Sequence, residues 1–374
     1  MLEAIGAART SVVLEIYILQ DSEIGAVFRH ALVAAAARGV RVRVLVDAVG
    51  SLELPADYLN PVNEAGGDCR WFNPLELGRL SYRDHRKLLI VDDAVAFVPG
   101  FNIAREYDGD GVEQGWRDLG LVIRGPLVAE LLRAFHGMFG AASFRHRRLS
   151  RFRRHMRPQR VDTPQGDLFL LSPGRGRNPA RLALMADLAR ARKIRLTTAY
   201  FLPPVALRRA LIAAARRGAE VELLLPGPTD VRVAQLAARG QYTRLLKAGV
   251  RIFEYQPAVL HAKRYLLDNV VYGGSANLDL RSLNINYEIL VRLEDVELAR
   301  EGHAAFEEDL RRAKEVALAS WRKRSWWSRV MERLASIILV RLDLRFAMRQ
   351  LYRLRVKEGR RAFQRKRRSA PAAR

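Results

Sequence analysis

A two-half α/β protein, each half a helix-flanked, mostly parallel mixed sheet, is predicted by three observations. Strand-like segments alternate with helical ones, the pattern of parallel strands joined by crossover helices. Landmarks of the first half return about 176 to 179 residues later. A histidine-lysine motif occurs once in each half, at matched positions.

In chain order, Ser11 to Leu19 is dense in β-branched and aromatic residues and reads as a strand, with Glu15 and Tyr17 on one face. Glu23 to Arg38 carries Ile24, Val27, Phe28, Ala31, Leu32 and Ala35 at helical spacing, and Gly39 suits the stop. Val40 to Asp47 is a second strand. The set then repeats: Lys193 to Phe201 is strand-like, Val205 to Arg217 is helical and ends at Gly218, and Val221 to Pro226 is a strand. Arg38-Gly39-Val40 matches Arg217-Gly218-Ala219 at an offset of 179, and His85 matches His261 at 176. The halves divide as residues 1–155 and 156–318, with a distinct tail over 319–374. Ser143 to Arg160, rich in Arg and His, reads as a linker or surface excursion. His30, His136 and His303 sit on predicted helices and read as structural.

Composition sets the wider frame. At 374 residues the chain has room for two sizeable cores. Its single cysteine, Cys69, excludes an intramolecular disulfide framework and suits a reducing compartment. The net charge of +24 is concentrated: Ala319 to Arg374 holds 18 Lys or Arg against 3 Asp or Glu, or +15. The partner this predicts is a polyanion, either a membrane surface or nucleic acid. No run approaches the roughly 18 to 20 apolar residues that span a bilayer, and no secretory leader is visible at Met1, so the body is expected to be soluble and cytoplasmic. In the tail, Trp326, Trp327, Val330, Met331, Leu334, Ile337, Ile338 and Leu342 share helical spacing among Arg329, Arg333, Arg341 and Arg345. This describes a basic amphipathic helix lying on an anionic membrane. The alternative is a helix packed on the body with a solvated basic end.

The chemistry sits in His85-Arg86-Lys87-Leu88-Leu89-Ile90-Val91-Asp92 and His261-Ala262-Lys263-Arg264-Tyr265-Leu266-Leu267-Asp268, two copies of H-x-K-x4-D. In extended backbone, residues two apart face the same way, so each His and Lys would enter one cleft. The apolar runs behind them read as buried strands that hold the imidazoles still. Asn102 follows in Pro99-Gly100-Phe101-Asn102 and Asn277 in Gly274-Ser275-Ala276-Asn277, as amide donors to phosphate oxygens. Asp118 and Glu288 offer one later carboxylate per half, able to fix a histidine tautomer. Asp92 and Asp268, about 23 Å from the histidines if fully extended, are expected to pair structurally or cap turns.

These residues resemble the phospholipase D superfamily. Gly274-Ser275-Ala276-Asn277-Leu278-Asp279 with Asn286-Tyr287-Glu288 is similar to its bacterial cardiolipin synthase branch, as are Ser11 to Tyr17, Trp116-Arg117-Asp118 and Ala199-Tyr200-Phe201. The form without N-terminal transmembrane helices fits best, over about residues 2 to 295. The resemblance implies two duplicated α/β/α sandwich domains with the active site at their pseudo-twofold interface. It implies phosphatidyl transfer between phospholipids: His85 attacks phosphorus to give a phosphohistidine, and His261 protonates the leaving alkoxide and then deprotonates the incoming alcohol. Lys87, Lys263, Asn102 and Asn277 would hold the non-bridging oxygens, while Asp118 and Glu288 orient the histidines. Glu15, Tyr17, Arg281 and Ser282 are candidate substrate contacts. No cofactor and no metal are called for. The partners are phospholipid substrates and an anionic bilayer met by the tail at the cytoplasmic face of the cell membrane. Nucleic acid enters only in the alternative of a nuclease, and a catalytically silent membrane-binding protein is the second alternative. Oligomeric state is left open. Two departures from the pattern carry expectations. Pro99 replaces a usual glycine, stiffening the first turn and removing an N–H. The spacing from His85 to Asn102 is 17 against 16 from His261 to Asn277, so the halves are not expected to superpose there.

Overall fold

The computed structural model describes residues 1–73, 82–142, 158–173 and 178–339. The first half places β1 (Ser11–Ile16), β2 (Arg41–Asp47), β3 (Asp68–Phe72), β4 (Leu88–Val91), β5 (Val95–Pro99) and β6 (Gly120–Arg124) in one sheet, in the order β3-β2-β1-β4-β5-β6. Its helices are α1 (Leu2–Ala7), α2 (Glu23–Ala37), α3 (Asn60–Glu64) and α4 (Pro126–Ala142). The second half contributes β7 (Gln159–Thr163), β8 (Gly166–Leu171), β9 (Lys193–Thr197), β10 (Phe201–Leu202), β11 (Glu220–Pro226), β12 (Arg251–Tyr255), β13 (Arg264–Leu267), β14 (Val270–Gly274), β15 (Leu278–Asp279), β16 (Glu288–Glu294) and β17 (Ala313–Glu315). Its large sheet runs β17-β12-β11-β9-β13-β14-β16-β8-β7, while β10 and β15 pair separately. The helices here are α5 (Pro179–Arg190), α6 (Val205–Arg216), α7 (Arg232–Leu246), α8 (Leu280–Asn284), α9 (Val296–Arg311), α10 (Leu318–Arg322) and α11 (Trp326–Ile337).

The duplication is visible strand by strand. The stretch β12-β11-β9-β13-β14-β16 repeats β3-β2-β1-β4-β5-β6 with the same directions. One expectation needs correcting: the sheets are not mostly parallel. Within the two large sheets parallel pairing is confined to β1-β2-β3 and β9-β11-β12, whose links are long enough to carry helices, and the short β10-β15 pair is parallel as well. The pairs β4-β5 and β13-β14 are antiparallel because the turns at Asp92–Ala94 and Asp268–Asn269 are too short for a crossover, and β6 and β16 continue antiparallel beside them. A second correction concerns Lys193 to Phe201, which is interrupted: β9 ends at Thr197, and the Thr198 hydroxyl bonds the Tyr200 carbonyl before β10 begins.

The landmark glycines are helix stops. Gly39 and Gly218 adopt φ of +84° and +93°, which a side chain would strain. Asp92 and Asp268 also sit at positive φ, 52° and 51°, and act as the expected caps. Asp92 accepts the N–H groups of Arg9, Thr10 and Ser11, and Asp268 those of Arg192 and Lys193. Each thereby ties the hairpin end to the start of its neighbouring strand, away from the cleft.

Each half has its own core, and a third cluster joins them. Val13, Leu88, Ile90, Val98, Leu127 and Phe135 of the first half pack with Leu168, Tyr287, Ile289 and Val291 of the second. At about 1.5–3 kcal/mol per large apolar side chain buried, this shared layer is a substantial adhesive. The contact is close enough that a Cβ on Gly273 would lie 2.8 Å from Leu121 Cδ1. His136 and His303 pack against Arg43 and Arg195 on their helices, consistent with structural roles.

The division between residues 155 and 156, most of the Ser143 to Arg160 segment and the tail beyond 339 lie outside the described residues. The start of the tail is docked. Trp321 donates its indole N–H to Thr243 at 3.1 Å, and Arg324 pairs with buried Glu332 at 3.0 Å. Gln241 reaches Ser336 at 3.2 Å, and Gly240 lets α11 approach α7 closely. The apolar residues Trp326, Trp327, Met331, Leu334, Ile337 and Ile338 face outward, each 47–61% exposed. Among the described residues no helix is long and apolar enough to cross a membrane.

Candidate active site

Both motifs sit just ahead of their strands rather than within them: β4 begins at Leu88 and β13 at Arg264, three residues after each histidine. What holds the histidine backbones is the opposite half. Asp84 bridges to Tyr287 and Leu260 to Arg117, each a single parallel contact. The His85 N–H reaches the Tyr287 carbonyl at 3.0 Å, and the His261 N–H reaches the Arg117 carbonyl at 2.8 Å. This reciprocity is the pseudo-twofold relation at residue level.

The carboxylates therefore cross over. Glu288 of the second half contacts Nδ1 of His85 at 2.9 and 3.0 Å, and Asp118 of the first half contacts Nδ1 of His261 at 2.6 Å. Held at Nδ1, each ring turns its Nε2 to the reaction; that of His261 lies 3.1 Å from Lys263 Nζ, which is also 2.6 Å from its Nδ1. Glu288 is fully buried and also accepts from the Ser275 hydroxyl at 2.5 Å and the Asn286 amide at 3.4 Å. Asp118 fits because Gly100 stands where the second half has Ser275: a Cβ there would lie 2.4 Å from Asp118 Oδ1.

The lysines are buried and fold back on their own motifs. Lys87 Nζ donates to the His85 carbonyl at 2.9 Å, and Lys263 Nζ donates to the His261 carbonyl and lies 3.7 Å from Asp118. Burial pushes both histidines down to about 4, only partly offset by their carboxylates. Burial likewise pulls Lys87 down to about 7 and lowers Lys263. The two neutral imidazoles and two buried ammonium groups face one carboxylate each, so the site offers N–H donors converging on a point where a phosphate could sit.

The asparagines are engaged as well. Asn102 accepts from the Ile18 N–H at 3.1 Å and donates to the Tyr107 hydroxyl at 2.9 Å; that hydroxyl lies 3.5 Å from His261 Nε2. Asn277 accepts from the Thr198 hydroxyl at 3.3 Å. Tyr107 was not legible in the sequence, for it ends a three-residue 3-10 helix, Arg105–Tyr107, too short to show periodicity. Trp116 and Tyr200 join it, 5.6 and 6.4 Å from the His261 ring. Tyr17 stands edge-on to His85 at 4.8 Å and 5.2 Å from Lys87 Nζ.

The remaining candidates divide. Arg281 is half-buried and its charge acts on Tyr17, so it borders the His85 side. Ser282 is 2% exposed and its N–H is taken by Asp279, which caps α8. Glu15 is wholly buried beside Asp84 and Arg86. Two further expectations change. The extra residue between His85 and Asn102 sits in the distant Asp92–Ala94 turn, so the histidine and asparagine ends correspond in both halves. Pro99 ends β5 opposite Gly120, and the next N–H, of Gly100, bonds Leu119 at 2.9 Å as Ser275 bonds Ile289 at 2.9 Å. The Cys69 thiol is half-buried and pushed up to about 12, an unreactive state.

Comparison with known proteins agrees with this geometry. A model of the cardiolipin synthase, phospholipase D-like domain matches residues 1–138 and 184–310. Cardiolipin synthase 1 of Bacillus cereus is 32% identical over 351 residues, covering 90% of this chain and 69% of that protein. The cardiolipin synthase of Halalkalibacterium halodurans is 31% identical over 343 residues, covering 88% and 67%. In fold, the crystal structure of phosphatidylserine synthase from Haemophilus influenzae Rd KW20 is similar with a TM-score of 0.71, at 14% identity, covering 93% of this chain and 92% of that one. With both half-sites in place and the match spanning both repeats, the chain belongs to the cardiolipin synthase family of phospholipase D-like proteins.

Proposed function

We propose that the protein is a phosphatidyltransferase that moves a phosphatidyl group from one phospholipid to a lipid-borne glycerol hydroxyl, giving cardiolipin or a related lipid. The observation that carries this reading is the crossed pairing of Glu288 with His85 and Asp118 with His261, which makes one two-histidine site. In the first step His85 Nε2 attacks phosphorus, the bond to the headgroup oxygen breaks, and His261 gives that oxygen its proton. In the second the acceptor hydroxyl gives its proton to His261, its oxygen attacks phosphorus, and the P–N bond to His85 breaks. Lys87, Lys263, Asn102 and Asn277 stabilise the non-bridging oxygens. The phosphodiester's own charge supports protonation of His261 and the lysines once it is bound.

The bilayer is met by the outward face of α11. A docked helix that turns two tryptophans and four aliphatic residues to solvent, followed by a strongly basic chain, suits an anionic interface better than a nucleic-acid arm. Incubation with phosphatidylglycerol vesicles and mass spectrometry of the lipids tests the activity. Cardiolipin with release of glycerol is expected; unchanged lipid together with cleavage of a labelled oligonucleotide would favour a nuclease. Flotation with vesicles of phosphatidylglycerol and phosphatidylcholine tests the surface: Trp326→Ala/Trp327→Ala/Ile337→Ser should leave the membrane fraction, and equal flotation would refute it.

A further inference from the structure

The two half-sites are alike in their reactive groups and unlike beneath them. Strand register aligns Glu15 with Thr197, both beside the residue that follows a motif lysine: Glu15 opposes Leu88 and Thr197 opposes Arg264. Likewise Asp47 corresponds to Pro226, and Arg83, Asp84 and Arg86 to Val259, Leu260 and Ala262. The first half thus buries five ionisable side chains, none more than 4% exposed, where the second has none.

Most of these charges are answered. Asp47 accepts from Arg83 at 3.2 Å and from the N–H groups of Asp84, Val49 and Gly50 at 2.8–2.9 Å. Asp84 accepts from the Arg86 N–H at 3.3 Å. Glu15 is not: it is 0% exposed, no N–H or O–H donor reaches either oxygen, and the Nε of Arg86 beside it is likewise without a partner. Its polar neighbour is the carboxyl of Asp84, within hydrogen-bonding reach, with the Arg86 charge nearby. Two adjoining buried carboxyl groups without a donor between them are tolerable only when one carries a proton. Arg83 and Arg86 supply two positive charges beside these three carboxyl groups. Burial and mutual repulsion raise both Glu15 and Asp84, in the same direction.

We infer that Glu15 and Asp84 share one proton and form a positioning pair that fixes the segment carrying His85 and Lys87, a support the second half-site does not have. Asp84 is the residue joined to Tyr287 across the halves, immediately before His85, so what fixes its side chain fixes the His85 backbone. The groups facing the pair are Arg86 and Lys87 from its own segment, Asp47 and Arg83 beside it, and Tyr287 from just ahead of the Glu288 strand. The consequence is inequivalent histidines: the ring that follows the proton-sharing pair is the one held for attack. The inference rests on the proposed reaction for its catalytic consequence but not for the shared proton.

Equilibrium unfolding of the full chain between pH 6 and 8, for wild type and Glu15→Gln, tests the proton directly. A retained proton that the unfolded chain lacks makes wild-type stability fall as pH rises, so the wild-type unfolding constant should climb about tenfold per pH unit relative to the variant. Parallel slopes would overturn the shared proton. Positioning is tested by kcat on phosphatidylglycerol vesicles. Glu15→Leu should lower kcat more than tenfold with KM within threefold, and Glu15→Gln, an amide that can bond Asp84, should recover at least a fifth of it. Equal kcat for Glu15→Leu and wild type, or no recovery by Glu15→Gln in a folded chain, would overturn the positioning role. If wild type transfers no phosphatidyl group, the reaction proposal fails while the unfolding slopes still decide the proton.

Discussion

Glu288→Gln should cripple a histidine that lies 203 residues away in sequence. Glu288 is fully buried and receives His85 Nδ1, the Ser275 hydroxyl and the Asn286 amide. Glutamine keeps the volume but offers a single acceptor oxygen and no charge. A hydrogen bond to a charged group is worth about 1.5–3 kcal/mol. The phosphorylated imidazole, which carries positive charge while its Nδ1 proton is held, loses a further electrostatic share. A combined loss of about 3–4 kcal/mol corresponds to two to three powers of ten in kcat. If the amide nitrogen turns toward His85, the ring adopts the tautomer with Nε2 protonated, and attack is blocked. The assay is steady-state transfer on phosphatidylglycerol vesicles, with thermal unfolding to verify the fold. Ser275→Ala, which removes one of the carboxylate's other donors, should cost about tenfold. A Glu288→Gln enzyme within fivefold of wild-type kcat would refute the crossed-pair reasoning.

Three further outcomes follow from the same geometry. Because Lys87 is pulled down to about 7, the free site loses a positive charge as pH rises through 7, so KM for an anionic phospholipid should increase from pH 6.5 to 8.5, and a flat profile would contradict it. Asp309 pairs with Arg117 at 2.8 Å and Arg264 at 3.1 Å, the residues beside Asp118 and Lys263; Asp309→Ala strands buried Arg264 and should lower stability by about 3–5 kcal/mol in urea unfolding. Asp92→Ala removes the cap on Arg9, Thr10 and Ser11 and should cost about 1–2 kcal/mol of stability with kcat unchanged, whereas a large fall in kcat would return Asp92 to the chemistry.

The residues proposed to do the chemistry were the most legible part of the sequence, because H-x-K repeated at matched positions is a local pattern. The caps at Asp92 and Asp268 could be read too, since a residue at the far end of an apolar strand cannot reach the cleft. What stayed hidden depends on register between distant segments. Nothing local pairs Glu288 with His85 rather than with His261; the Asp84–Tyr287 and Leu260–Arg117 bridges do. Strand direction was misjudged because βαβ signals at the start of each half say nothing of the short hairpins that follow. The spacing of 17 against 16 misled because sequence distance does not tell a turn from a site. Glu15 alternates onto the face of Tyr17, yet nothing local foretold that it would be fully buried with Asp84 beside it.

The central claim is that His85 takes the phosphatidyl group with His261 as proton donor. Full-length protein incubated with phosphatidylglycerol vesicles, quenched in alkaline denaturant that spares a P–N bond, digested and sequenced by mass spectrometry tests it most directly. The account predicts a phosphatidyl adduct on the peptide containing His85, absent in His85→Ala and sharply reduced in Glu288→Gln. An adduct on His261 would reverse the assignment, and cardiolipin formed with no histidine adduct would contradict the mechanism.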